Sequence, residues 1–195
     1  MQLLMPESVP DACTMLAEHS GAVPIAGGTD LMVHWPQRFD DHDRTYVDLS
    51  ALVELRSLHL TDDELIIGAL STYWDFLTHP EGRLAFPILA DAARQIGAVQ
   101  IQTRGTWAGN VMNGSPAADG VAVLMACDAA VHLQSSGDIE TVPLDEFYLG
   151  YKEMRRKPDQ LLCEIHVPRR VHDVQFFEKV AGRRAQAITK VSTKR

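Results

Sequence analysis

Two short segments concentrate the residue types that can hold an anion without a basic side chain. They are Ile25-Ala26-Gly27-Gly28-Thr29-Asp30 and Gly105-Thr106-Trp107-Ala108-Gly109-Asn110. Glycine lets successive backbone N–H groups converge into a nest, and two nests can grip a pyrophosphate from both sides. Taken singly, each segment reads first as an ordinary tight turn. The pair is more informative when combined with Asp119 downstream. Asp119 is equally well placed to cap a helix after Pro116-Ala117-Ala118. Neither segment is a G-x-x-x-x-G-K-[ST] phosphate loop or a G-x-G-x-x-G dinucleotide fingerprint.

Other reactive groups point nowhere together. Cys13, Cys127 and Cys163 are widely spaced among apolar neighbours, which fits buried inert thiols and excludes a local four-thiolate iron–sulfur cluster. The eight histidines form no H-x-x-x-H or H-E-x-x-H pair, so no metal site is expected. Asp40-Asp41-His42-Asp43 lacks the glycine and distal glutamate of a calcium loop and reads as a solvated acidic loop. No catalytic triad or paired catalytic carboxylates stand out.

The elements that must position these residues alternate irregularly. Ser8, Pro10 and Asp11 open a helix whose apolar positions Val9, Ala12, Cys13, Leu16 and Ala17 share a face, and Gly21 stops it. Short strands are predicted at 22–26 and 45–49, then a hairpin at 58–60 and 65–67. Helices are predicted at 73–78, at 87–96 with Gly97 just past its end, and at 119–126. Residues 105–118 carry no charge and are rich in Gly, Asn, Ser and Pro, which predicts a long shaped loop. Strands at 129–134, 139–142, 161–167 and 176–180 complete an α+β pattern, not a doubly wound α/β sheet.

Composition narrows the function. In 195 residues, 26 acidic against 18 basic side chains leave a net charge of −8, against nucleic-acid binding. The N-terminus shows no secretory signal, and no apolar run suits a membrane span. A cytoplasmic location is expected.

Five motifs then fall in one order: Pro24 to Leu31; Thr103-Arg104 running into Gly105 to Asn110; Ser115-Pro116-Ala117-Ala118-Asp119; Leu162 to Pro168; and Phe177-Glu178-Lys179 with Arg183-Arg184. This order resembles the FAD-binding (medium) subunit of the molybdenum hydroxylases, the family of xanthine dehydrogenase and aerobic carbon monoxide dehydrogenase. The resemblance implies a two-lobed α+β FAD-binding fold of the vanillyl-alcohol-oxidase (PCMH) type. Its lobes would be residues 1–54 and 55–168, with 169–195 opening a further domain that family members continue. Backbone amides of Pro24, Ile25, Ala26, Gly27, Gly28, Thr29, Asp30 and Leu31, and of Thr106, Trp107, Ala108, Gly109 and Asn110, would hold the FAD pyrophosphate. Asp119 would accept from the cofactor's polar chain, Ile96 and Leu162 would line its pocket, and Lys179 would lie near the flavin. On residues alone, Lys179 reads as a surface strand residue.

The implied function is electron transfer: a molybdopterin-binding large subunit oxidises substrate, a 2Fe–2S small subunit relays electrons, and FAD passes them to an external acceptor. Two readings compete, a flavin-free scaffold of the same fold and a self-contained flavin oxidoreductase. At Trp107-Ala108 the chain departs from the family's usual Thr-Ile-Gly-Gly-Asn, so Trp107 must pack beside the cofactor or turn away. If Ala108 occupies a positive-φ position, its strain is about 1–2 kcal/mol, and Ala108→Gly should tighten FAD binding. If Trp107 has re-routed the segment, the substitution should not help.

Overall fold

A computed structural model describes residues 1–34, 44–170, 174–182 and 189–194. The acidic segment 40–43 and Arg183-Arg184 lie outside the described residues. Strand β1 (Gln2–Leu4) leads into helix α1 (Val9–Glu18), followed by β2 (Val23–Ile25) and β3 (Thr45–Asp48). The Ser8 hydroxyl caps α1 by accepting from the Asp11 N–H at 3.2 Å. The Asp11 carboxylate accepts from the Glu7 N–H at 2.9 Å, one residue beyond the N-cap N–H that a full capping box would use. β1 and β2 both pair in parallel with β3, in the order β1-β3-β2.

The hairpin β4 (Leu58–Leu60) and β5 (Glu64–Gly68) begins an antiparallel sheet. Six helices follow: α2 (Tyr73–Leu77), α3 (Pro80–Ala85), α4 (Pro87–Gln95), α5 (Val99–Gln102), α6 (Trp107–Asn113) and α7 (Asp119–Ala126). Gly97, at φ +58°, takes the left-handed turn that ends α4. Next come β6 (Ala130–Gln134), β7 (Ile139–Pro143), α8 (Leu144–Phe147), the small hairpin β8 (Tyr148–Gly150) with β9 (Glu153–Met154), and β10 (Leu161–Pro168). The antiparallel order is β4-β5-β10-β6-β7, and β11 (Phe177–Ala181) pairs with β12 (Thr189–Lys194) in a separate hairpin. Among the described residues no helix is long and apolar enough to cross a membrane.

One expectation fails here. Residues 105–118 are not a continuous loop, because α6 occupies their centre. Thr106 caps it by accepting from the Gly109 N–H at 2.9 Å, and Gly114 at φ +59° ends it. Glycine and asparagine give this stretch poor helix propensity, yet Trp107, Ala108 and Val111 bury one face of the turn against the core. Tertiary burial outweighs local preference.

A single apolar core joins the two sheets. Cys13 and Leu16 of α1 and Val47 of β3 belong to the same cluster as Leu65, Ile67, Val131, Leu133, Ile165 and Val167 of the antiparallel sheet. Helix α1 also meets β10, and the Cys13 thiol donates to the Gln134 carbonyl at 3.2 Å. Cys13, Cys127 and Cys163 are all buried, and burial pushes the Cys163 thiol up to about 12. A thiol so raised stays protonated and unreactive at neutral pH. On the antiparallel sheet, alternate residues turn to the opposite face, where Glu64, Ile66, His132, Glu164 and His166 are only half-buried.

Candidate functional site

The two glycine-bearing segments meet. A side chain on Gly27 would collide with the Arg104 carbonyl, so the backbones of the two segments pack directly on each other. Gly28 adopts φ +69°, the left-handed conformation that glycine takes without strain. A cleft of about 570 Å³ opens between them, within the range of small-molecule and cofactor sites. Among the described residues, the backbone N–H groups of residues 27–30 make no hydrogen bond within the chain. At the start of α6, the Trp107 N–H goes to the Ser71 carbonyl at 3.3 Å, and the Gly109 N–H goes to the Thr106 hydroxyl. The Ala108 N–H has no such partner among the described residues. The Asn113 amide donates to Asp30 Oδ1 at 3.1 Å and fastens the two segments across the cleft.

Most of the expected residues line this cleft: Pro24, Ala26, Gly27, Gly28, Thr29, Asp30 and Leu31 on one side, Thr106, Ala108, Gly109 and Asn110 on the other, with Ile96 and Leu162. Four do not. Ile25 lies in β2, where its carbonyl accepts from the Leu49 N–H at 2.9 Å. Trp107 turns into the core, edge-on to Tyr73 and Phe76 at centroid separations of 4.9 and 5.7 Å. Asp119 is the first residue of α7, not its cap; Ala118 holds that position. Lys179 is no surface residue either, because its ammonium donates to Asp119 Oδ2 at 2.6 Å, with each side chain 8% exposed. Its second acceptor is the Gln95 carbonyl at 3.3 Å.

Ala108 has no positive φ, which removes the strain expected of it. It is a buried residue in the first turn of α6, where alanine is the best helix former. Ala108→Gly should therefore lower stability by about 1 kcal/mol and leave FAD binding no tighter. Urea denaturation and a flavin titration of the same two proteins check this.

Several lining residues carried no sequence signal. Tyr73, Asn113, Arg156 and Gln160 all border the cleft. Asn113 stands one turn beyond Asn110 and would have been found had α6 been foreseen. Arg156 and Gln160 arrive through the chain between β9 and β10, with Arg156 donating to the Gln160 carbonyl at 2.6 Å. Burial lowers the Arg156 pKa, but a guanidinium keeps its charge in proteins. Burial first, then the Asp119 carboxylate, pushes the Tyr73 phenol up, so it remains a donor. Tyr73 Oη and Asn110 Oδ1 are buried without a hydrogen-bond partner among the described residues. A side chain on Gly120 would run into Asn110 Oδ1, so the start of α7 backs directly onto this part of the wall.

Comparison with known proteins matches this architecture. The sequence profile of the family described as the FAD binding domain in molybdopterin dehydrogenase covers residues 1–170. The nicotinate dehydrogenase FAD-subunit of Eubacterium barkeri is 32% identical over 194 residues, 96% of this chain and 65% of that protein. The caffeine dehydrogenase subunit beta of Pseudomonas sp. (strain CBB1) is 33% identical over 92% of this chain and 62% of its own length. The carbon monoxide dehydrogenase of Hydrogenophaga pseudoflava, solved in a form lacking the Mo-pyranopterin moiety, contains a chain that superposes with a TM-score of 0.89. That chain is 28% identical, and the match covers 96% of this chain and 66% of it. The present chain thus spans a little under two thirds of these relatives. With a profile match over most of its residues and a cleft built where its glycine segments meet, the chain belongs to the family of FAD-binding domains of molybdopterin dehydrogenases.

Proposed function

We propose that the chain is the flavin-carrying part of a molybdenum hydroxylase, an oxidoreductase that works with molybdopterin-binding and 2Fe–2S subunits. Its fold is taken as the two-lobed vanillyl-alcohol-oxidase type, with lobes at 1–54 and 55–168. The observation that carries the reading is the meeting of Gly27-Gly28 and the start of α6 around one cleft, where the N–H groups of residues 27–30 and of Ala108 have no partner among the described residues.

The N–H groups of residues 27–30 and of Ala108 donate to the pyrophosphate, and Arg156 adds a positive charge to the cleft. Asn113 holds the Asp30 carboxylate by one oxygen and so limits its approach to the anion. Ile96, Leu161 and Leu162 give an apolar wall that excludes water. Ile25 and Trp107 act by fixing the two segments, through β2 and the core respectively. Asp119 and Lys179 act from behind the wall: their ion pair anchors β11 to α4 and α7 beside Asn110 and Tyr73. When bound, FAD supplies a ring that accepts and releases two electrons.

Titration of the apoprotein with FAD and FMN tests the reading by flavin fluorescence. FAD should bind at least tenfold more tightly, because FMN lacks the pyrophosphate that two backbone segments are built to hold. Equal affinities overturn the two-segment site. Failure of both flavins to bind supports the scaffold reading instead.

A further inference from the structure

The half-buried face of the antiparallel sheet carries a polar cluster that the cleft does not use. Alternation along the strands turns Glu64 of β5, His132 of β6, and Glu164 and His166 of β10 to this face. A bulge between Leu162 and Glu164 shifts the register so that Glu164 stands opposite His132. His166 Nε2 lies 3.0 Å from Glu164 Oε2, and its Nδ1 lies 3.0 Å from Glu64 Oε2. His132 Nδ1 is 3.6 Å from the same Glu164 oxygen. The two imidazoles overlap, with centroids 3.6 Å apart and planes inclined by 23°. One ligating atom from each of His132, Glu164 and His166 lies within 4.8 Å of the other two.

We propose that His132, Glu164 and His166 bind a divalent transition-metal ion of the zinc class, with Glu64 orienting His166 from behind. Two imidazoles and one carboxylate are a three-ligand zinc set that leaves a fourth position open to water. Nitrogen donors select zinc, nickel or copper over magnesium and calcium. Tetrahedral bonds of 2.0–2.1 Å place neighbouring ligand atoms about 3.3 Å apart. The observed separations of 3.0 and 3.6 Å from Glu164 Oε2 bracket that value. The Glu64 contact to His166 Nδ1 is the carboxylate–histidine pairing that fixes a ligand's tautomer and leaves Nε2 for the metal. A dication also balances two carboxylates set against two imidazoles. One adjustment is required: stacked rings point their lone pairs side by side. The His132 ring, whose side chain is 25% exposed, must swing out of the stack until its Nδ1 converges with His166 Nε2.

The site is independent of the flavin reading. The spacing of histidines in the sequence excluded a local metal motif, but these ligands come from two strands joined only by register. The rival arrangement is a cluster held by protons, with each carboxylate accepting from an imidazole N–H.

Calorimetric titration of the metal-free chain, produced without a histidine tag, with ZnCl₂ separates the two. The site predicts one zinc per chain, and with cobalt(II) the intense visible absorption of a four-coordinate ion. His132→Ala and His166→Ala should each weaken binding at least 100-fold, and Glu64→Gln should weaken it by about 10–100-fold. Circular dichroism checks that the variants fold, and His132→Asn serves as a smaller change at the same position. Zinc should also raise the Tm of the unmodified chain. No stoichiometric binding to the unmodified chain, or binding that survives the double variant His132→Ala/His166→Ala, overturns the proposal.

Discussion

Gly27→Ala should cost the chain at least 100-fold in FAD affinity and lower its Tm. A Cβ at this position overlaps the Arg104 carbonyl, and both colliding groups are backbone, so no rotamer change relieves the clash. One segment must retreat from the other, at about 3 kcal/mol for overpacking of this kind, equivalent to two powers of ten in affinity. Gly28 offers an internal comparison. Its φ of +69° strains any other residue, but a Cβ there meets nothing closer than 3.9 Å. Gly28→Ala should therefore weaken FAD by about tenfold at the left-handed penalty of about 1–2 kcal/mol. Fluorescence titration of the three apoproteins gives the ranking, and a Gly27→Ala protein with unmodified affinity removes the packed-backbone account of the cleft.

Lys179→Met should destabilise the chain by about 3–5 kcal/mol, the range for removing one partner of a buried ion pair. The substitution keeps the length of the side chain but removes the ammonium from beside the Asp119 carboxylate, each side chain being 8% exposed in the intact pair. It also removes the bond to the Gln95 carbonyl, which ties β11 to the end of α4. A second substitution, Asp119→Leu, should recover most of the loss, because an apolar pair of similar volume carries no desolvation penalty. Urea denaturation of the single and double variants measures both. A double variant no more stable than Lys179→Met would show that Asp119 has a separate structural role.

Elements with strong local signals were legible before the structure. The 58–68 hairpin, α4 with Gly97 behind it, and α7 each carry a turn residue or an apolar period at the right offset. Strand β1, the β8–β9 hairpin and helix α5 are too short to leave a period. Helix α6 was hidden for a different reason: Gly109, Asn110 and Asn113 argue locally for a loop, and only the burial of Trp107 and Val111 decides otherwise. In the cleft, the 24–31 segment was visible because Gly27-Gly28 announces backbone chemistry. Tyr73, Arg156 and Gln160 were not, because tertiary contacts alone bring them to it. The strain expected at Ala108 rested on a loop that is a helix.

The way α1 is buried dictates an order of events during synthesis. Its apolar face, Val9, Cys13 and Leu16, joins the same core as β6 and β10, and Cys13 bonds the Gln134 carbonyl. Those partners lie more than a hundred residues further along the chain, Cys13 and Gln134 being 121 positions apart. Until they are made the helix has only its short parallel sheet to cover it, and isolated helices of about ten residues are marginal in water. Closing so long a loop is also entropically costly, which delays the contact further. The segment that carries α1, Gly27 and Gly28 therefore waits for β6 and β10, and in that interval its uncovered apolar face is open to aggregation or to a chaperone.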